Sequence, residues 1–170
     1  MLLPQIVCPV LVGRGAELDA LTSLLDGAAE GRGSAVLVGG DAGIGTSRLC
    51  RELKRLATAR GLRVMAVHRL AGDGPLLLVL EDFHWADPTS CDLLHFLARR
   101  VPALPLLLVV TSRTEEIPAG HAVRRLLATL VRERIARELR LAPLGRDEVA
   151  EMMAAIAGGE SISAYSVSRK

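Results

Sequence analysis

Apolar positions along the chain follow two rhythms that take turns. In "GRGAELDALTSLLDGAAEGRG", Leu18, Leu21, Leu24 and Leu25 recur at helical spacing until glycines break the pattern, which predicts a first helix. "SAVLVGG" (34–40) is a continuous apolar run of strand length that enters a glycine-rich loop. "SRLCRELKRLATARG" returns to helical spacing through Leu49, Leu53 and Leu56, with Gly61 placed to close the helix. Further strands are predicted at "LRVMAV" (62–67), "PLLLVLED" (75–82), "LPLLLVVTSR" (104–113) and "RELRL" (137–141), with a strand or edge at 10–12. "ADPTSCDLLHFLARRV" predicts a helix capped by Asp87, with Pro88 in its first position and Leu93, Leu94, Leu97 and Val101 on its apolar stripe. Helices are also predicted at 121–134 and 146–157.

Strands that are apolar on both faces and alternate with helices indicate an α/β fold, a parallel sheet covered on both sides. Ligands in such sheets bind beyond the carboxyl ends of the strands. Those ends carry Gly40 to Ser47, Glu81 with Asp82, and Thr111 with Arg113. One connection does not fit. Only "HRLAGDGP" separates the strand at 62–67 from the next, whereas a parallel crossover takes about a dozen residues or more. The strand at 62–67 is therefore expected to pair antiparallel, to lie at an edge or to be irregular.

Composition narrows the class. Half of the 170 residues are apolar, enough for one domain with a core. The aromatics are few: Phe83, Trp85, Phe96 and Tyr165. No apolar run approaches the roughly 18 residues of a membrane-spanning helix, and the start "MLLPQIVCPVLVGR" lacks the basic n-region of a signal peptide. Cys8, Cys50 and Cys91 are too widely spaced to suggest a disulfide framework or a metal cluster, and Cys91 reads as core packing on its helix. A reduced, cytoplasmic setting is expected. The net charge of +2, from 21 basic and 19 acidic residues, is too balanced to point to nucleic acid. "RRLLATLVRERIARELR" (124–140) reads as a solvated amphipathic face, with a binding patch as the alternative.

The chemistry concentrates in "GGDAGIGTS" (39–47), which has the GxxxxGK[ST] spacing of a phosphate-binding loop from Gly40 to Ser47 with Thr46 where lysine is expected. Such a loop curls backbone N–H groups around a phosphate at a helix N-terminus, and glycines matter where a side chain would block the approach. Gly40, Gly43 and Gly45 supply that freedom, Asp41, Ala42 and Ile44 complete the loop, and the Ser47 hydroxyl stands where Mg²⁺ would be ligated. Thr46 brings no charge. Losing a charge-assisted hydrogen bond of about 1.5–3 kcal/mol weakens binding by roughly 10- to 100-fold, and turnover suffers further because that charge acts in the transition state. Glu81 and Asp82 end an apolar strand as a metal-holding and water-orienting pair would, or else merely cap it. Arg113, with Thr111, is placed to meet a γ-phosphate, or else pairs with Glu115 at the surface. The alternative is that the loop is merely a flexible turn, against which its strand and helix context and the downstream acids count. His68, His84, His95 and His121 have no ligand spacing, and His84 with Trp85 reads as a packed loop.

Taken in order, "LVGRGAELDAL", "GGDAGIGTSRL", "LLLVLEDFHWADPTS", "LPLLLVVTSR" and "HAVRRLL" resemble the N-terminal ATPase module of the AAA-like signal-transduction NTPases, the STAND class, found in large LuxR-type transcriptional regulators. The resemblance covers most of residues 10–157. It implies a P-loop NTPase sandwich of three layers with strand order 5-1-4-3-2. By analogy Gly40 to Ser47 is the Walker A loop, Glu81 and Asp82 the Walker B acids, Thr111 to Arg113 the sensor-1 element, and Arg14 lies where the base is accommodated. The departures are Thr46, the short segment before the third strand, and the "ESISAYSVSRK" ending where the family continues into a lid and output domain.

The expectation is one incomplete ATPase domain (1–157) and a Ser-rich tail (158–170). It would bind ATP and Mg²⁺, act weakly or not at all as an ATP hydrolase, and associate with a protein partner or itself without direct nucleic-acid or membrane binding. The alternatives are a regulatory scaffold fragment without nucleotide binding and a gene remnant that folds poorly.

Overall fold

A computed structural model describes residue 8 and residues 10–65 and 74–157. The chain forms two compact units, one from Ala16 to Ala142 and the other from Met1–Gly15 with Pro143–Lys170.

The larger unit is built on a parallel sheet. Its elements are α1 (Gly15–Ala29), β1 (Ser34–Gly39), α2 (Thr46–Ala59), β2 (Arg63–Met65), β3 (Leu76–Leu80), α3 (Pro88–Ala98), β4 (Leu106–Ser112), α4 (Ala122–Arg132) and β5 (Ala136–Arg140). The strand order is β2-β3-β4-β1-β5, the expected 5-1-4-3-2 read from the other edge. All four pairings are parallel, and Val36 of β1 sits between Val109 of β4 and Arg137 of β5.

Alternation divides the core between two faces. Ala35, Leu37, Leu76, Leu78, Leu106, Leu108 and Val110 join Leu94 and Ala98 of α3 and Val123, Leu126 and Leu130 of α4 in one apolar cluster. The intervening Val36, Val38, Leu77, Leu107 and Val109 are just as buried. A strand buried on both faces needs a second layer of helices, and the buried Leu21 and Leu25 of α1 and Leu49 and Leu53 of α2 supply apolar surface outside the first cluster.

The edge strand β2 corrects one expectation and meets another. It lies at the sheet edge and is short, but it pairs parallel with β3, Arg63 opposite Leu76 and Met65 opposite Leu78, not antiparallel. Because β2 stops at Met65 and β3 starts at Leu76, the connection is ten residues, 66–75. Such a chain can reach about 33–36 Å, whereas retracing a three-residue strand takes about 10 Å and the lateral step about 4.8 Å. A strand this short needs no helical crossover. The expected hairpin through "HRLAGDGP" falls mainly on residues 66–73, outside the described residues.

Local signals explain the element ends. Ser90 N–H donates to Asp87 Oδ1 at 2.9 Å and caps α3, with Pro88 in the first turn. Gly61, with φ of 77°, ends α2 as Leu62 N–H returns to the Ala57 carbonyl at 3.0 Å. The inward face of α3 is Cys91, Leu94 and Ala98, and Leu93 is 64% exposed. The predicted stripe was thus wrong at Leu93, because leucines on both sides of the true face left its phase ambiguous. Gly33 has a reason that sequence did not show: a Cβ there would land on the carbonyl oxygens of Val101 and Leu104.

In the smaller unit, α5 (Arg146–Ile156) starts where Gly145 N–H donates to Glu148 Oε2 at 2.7 Å. The strand predicted at 10–12 does not form. That segment leads into Gly13, at φ of 66°, where a Cβ would come within 2.5 Å of Glu148 Oε1, so packing against a side chain takes the place of strand pairing.

Candidate functional site

The parallel sheet brings the ends of β1, β3 and β4 to one edge, where they enclose a cavity of about 270 Å³. Asp41, Gly43, Gly45, Thr46, Ser47 and Arg48 line it from the loop and the first turn of α2, Asp82 from the end of β3, and Thr111, Ser112 and Arg113 from the end of β4. Three segments far apart in sequence thus meet at one site.

The loop owes its shape to its glycines. Gly43 and Gly45 have φ of 78° and 100°, a region that disfavours residues with a Cβ, and the space above each is open. Gly40 is required for another reason, since a Cβ would come 2.7 Å from Ile44 Cγ2. Ile44 N–H donates to the Asp41 carbonyl at 3.1 Å, closing the turn. Helix α2 starts at Thr46 without a side-chain cap, and its first residues, Thr46 to Arg48, line the cavity, where an uncapped helix N-terminus favours an anion.

The two acids part company. Glu81 accepts from Lys54 Nζ at 2.6 Å and does not line the cavity, whereas Asp82 does. Asp82 is held at φ 55° and ψ 38°, a left-handed conformation that is costly for most residues and milder for aspartate. Its N–H donates to the buried Thr111 Oγ1 at 3.1 Å, tying the ends of β3 and β4 together. Arg113 donates to Glu116 Oε1 at 2.9 Å, rather than to Glu115, and this hydrogen bond and charge raise its pKa further above the ordinary arginine value.

Other predicted residues fall elsewhere. Arg14 belongs to the smaller unit and is 5% exposed. The side chain of His84 is buried; its Nε2 lies 3.3 Å from Glu116 Oε2, and neither ring nitrogen has a hydrogen-bond partner among the described residues. Trp85 is 80% exposed, so the packed-loop reading suits the histidine and not the tryptophan. Cys50 is buried behind the loop, and burial, reinforced by the Glu81 charge, pushes its thiol up to about 12; it is no nucleophile. Arg48 was not singled out from sequence, though its place directly after Ser47 is the signal that could have found it.

A five-stranded, wholly parallel sheet with a glycine loop leading from the interior strand β1 into α2 is the fold of a P-loop NTPase. Residues 10–71 match the family model described as AAA ATPase domain. An uncharacterised protein of Rhizobium meliloti (strain 1021) is 28% identical over an alignment covering 71% of this chain and 20% of that protein. Among solved structures, the Aeropyrum pernix Orc1 protein in complex with DNA superposes with a TM-score of 0.66 at 21% identity over 92% of this chain and 52% of its own. The E. coli MS115-1 HORMA:CdnC:Trip13 complex gives 0.58 at 13% identity, over 85% of this chain and 68% of the matched one. Thermotoga maritima RuvB gives 0.58 at 15% identity, over 86% and 51%. The chain therefore spans one fifth of the Rhizobium relative and about half of the Orc1 and RuvB chains. No helix among the described residues is long and apolar enough to cross a membrane.

Proposed function

We propose that the chain is the ATP-binding module of a STAND- or AAA-like signalling or transcriptional regulator, weak or inactive in hydrolysis. The observation that carries this reading is the cavity in which the Gly43 to Ser47 loop, Asp82 and Arg113 face one another. The AAA ATPase domain match over residues 10–71 supports it, and the order of motifs along the chain favours the STAND branch. The unit would comprise residues 1–157, with 158–170 as an appended tail, and would act in the cytoplasm through a protein partner or self-association. Gly40 to Ser47 would wrap the phosphates.

The residues fit such a ligand. Open space above Gly43 and Gly45 suits phosphate oxygens approaching backbone N–H groups, and Ser47 with Asp82 supplies the hard oxygen donors that Mg²⁺ prefers. Ser47 and Asp82 would hold Mg²⁺, which would supply positive charge against the phosphates. Among the described residues no three His, Cys, Asp or Glu side chains gather as a metal site. Asp82 is then the acid that orients water, while Glu81, drawn to Lys54, is withheld. Thr46 leaves the phosphates without a lysine, and both features point to binding with little turnover.

The test is calorimetric titration of Mg-ATP into the wild type, T46K and T46K/G45V, each first checked for folding by circular dichroism. The wild type should bind in roughly the high-micromolar to millimolar range, with T46K about 10- to 100-fold tighter, and G45V should cancel the gain by crowding the loop. A folded T46K that binds no tighter would favour the second reading, a regulatory scaffold without nucleotide, which the diversion of Glu81 to Lys54 also suits.

A further inference from the structure

Arg113 lines the cavity from the end of β4 with a long, partly exposed side chain. Such a side chain samples many rotamers in water, and ordering it when a ligand arrives costs affinity. Here it is already engaged, because its Nη1 donates to Glu116 Oε1 at 2.9 Å. The chain turns back between the two residues, with the Glu116 N–H donating to the Arg113 carbonyl at 3.1 Å. A short 3-10 turn, Thr114–Glu116, thus brings the carboxylate to the guanidinium.

The carboxylate is itself backed by a buried ring. Its other oxygen, Oε2, lies 3.3 Å from Nε2 of His84, whose side chain is 2% exposed, and neither nitrogen of that ring has a hydrogen-bond partner among the described residues. A ring packed into the interior keeps one position, so Glu116 stands between a fixed histidine and a partly exposed arginine. His84 belongs to the 3-10 turn Phe83–Trp85 that directly follows Asp82, and Asp82 is tied to β4 through Thr111. The ends of β3 and β4 are therefore joined twice, by Asp82 with Thr111 and by His84 through Glu116 to Arg113. An ion pair as exposed as that of Arg113 and Glu116 adds little to stability; what it sets is where the guanidinium sits.

We infer that Glu116, backed by His84, is the positioning residue that presets Arg113 for the terminal phosphate of a nucleotide and so gives the site its preference for a triphosphate over a diphosphate. This rests on the nucleotide-binding reading above and deepens it. A guanidinium carries five donors in one planar fork, so Arg113 keeps donors for a ligand while Nη1 stays on Glu116. A diphosphate held by the glycine loop lacks the phosphate that Arg113 would meet, so what Glu116 does to Arg113 is felt by ATP and not by ADP.

The experiment is calorimetric titration of Mg-ATP and, separately, Mg-ADP into the wild type, E116Q, E116A, R113A, R113A/E116Q and R113A/E116A at fixed salt, after circular dichroism has shown each to be folded. E116Q and E116A both remove the carboxylate charge, but only glutamine keeps a side-chain oxygen that can accept from Arg113. E116Q should therefore bind ATP roughly 2- to 10-fold tighter than E116A, with ADP bound alike by the two. The difference should vanish once Arg113 is alanine, which a merely structural role for Glu116 would not produce. Equal ATP-to-ADP affinity ratios in E116Q and E116A, or a difference that survives without Arg113, overturn the inference and leave the nucleotide reading standing. No binding of either nucleotide by the folded wild type overturns both. If E116A does not fold, E116D takes its place, since it keeps the charge and shortens the reach by one methylene: a ratio that falls towards that of R113A supports the inference, and a ratio equal to that of the wild type overturns it.

Discussion

Lys54 Nζ lies 2.6 Å from Glu81 Oε1, joining the middle of α2 to the residue that follows β3 and holding that carboxylate away from the cavity which its neighbour Asp82 lines. Both side chains are about one-third exposed, so the pair contributes at most about 1 kcal/mol to stability. Its consequence is positional. K54M should change the urea midpoint little while freeing Glu81, so that Mg²⁺ strengthens ATP binding more in K54M than in the wild type. Identical Mg²⁺ dependence in calorimetric titrations would mean that Glu81 stays out of the site for another reason.

Thr111 and Asp82 form a second link. T111V keeps the shape of the side chain but leaves the Asp82 N–H without its acceptor, and a polar group so stranded costs about 1–3 kcal/mol. T111S retains the hydroxyl and should lose less. Denaturant unfolding of the two variants distinguishes them, and equal stabilities would remove this hydrogen bond from the account of how Asp82 is held.

Two neighbouring glycines should respond very differently. G33A drives a methyl group into the Val101 and Leu104 carbonyls and should cost about 3 kcal/mol or more through overpacking. Gly31, at φ of 85° with open space around it, should lose only about 1 kcal/mol as alanine, from backbone strain. Thermal or urea unfolding of both variants gives the comparison.

The cap of α3 carries a pH signature. Hydrogen bonds from Ser90 hold the Asp87 carboxyl below its ordinary value of 3.8. A depressed carboxyl pKa stabilises the fold above the unfolded value and loses that contribution as pH falls through the folded one. The wild type should therefore unfold at higher denaturant than D87A at neutral pH, with the difference shrinking once the pH drops below about 3.8. A difference that persists at pH 2 would show that the cap acts through something other than the charged carboxylate.

The sequence by itself determined the layered architecture and the glycine loop, because both are written in short-range terms. The run from Ala35 to Val38 is apolar at every position, which only a strand covered on both faces accommodates, and Asp87-Pro88 or Gly61 signals a helix end through its own backbone preferences. Contiguous motifs such as Gly40 to Ser47 were legible for the same reason. What the tertiary structure decided depends on partners distant along the chain. Lys54 and Glu81 are 27 residues apart, so local pattern could not say that Glu81 would pair with Lys54 and leave Asp82 to line the cavity. The parallel direction of β2 was decided by its register on β3, Arg63 opposite Leu76 and Met65 opposite Leu78, a pairing that hydropathy within one segment does not specify. That Ser47, Asp82 and Arg113 line one cavity was likewise decided by the fold, because the ends of three strands distant in sequence meet only once the parallel sheet has formed.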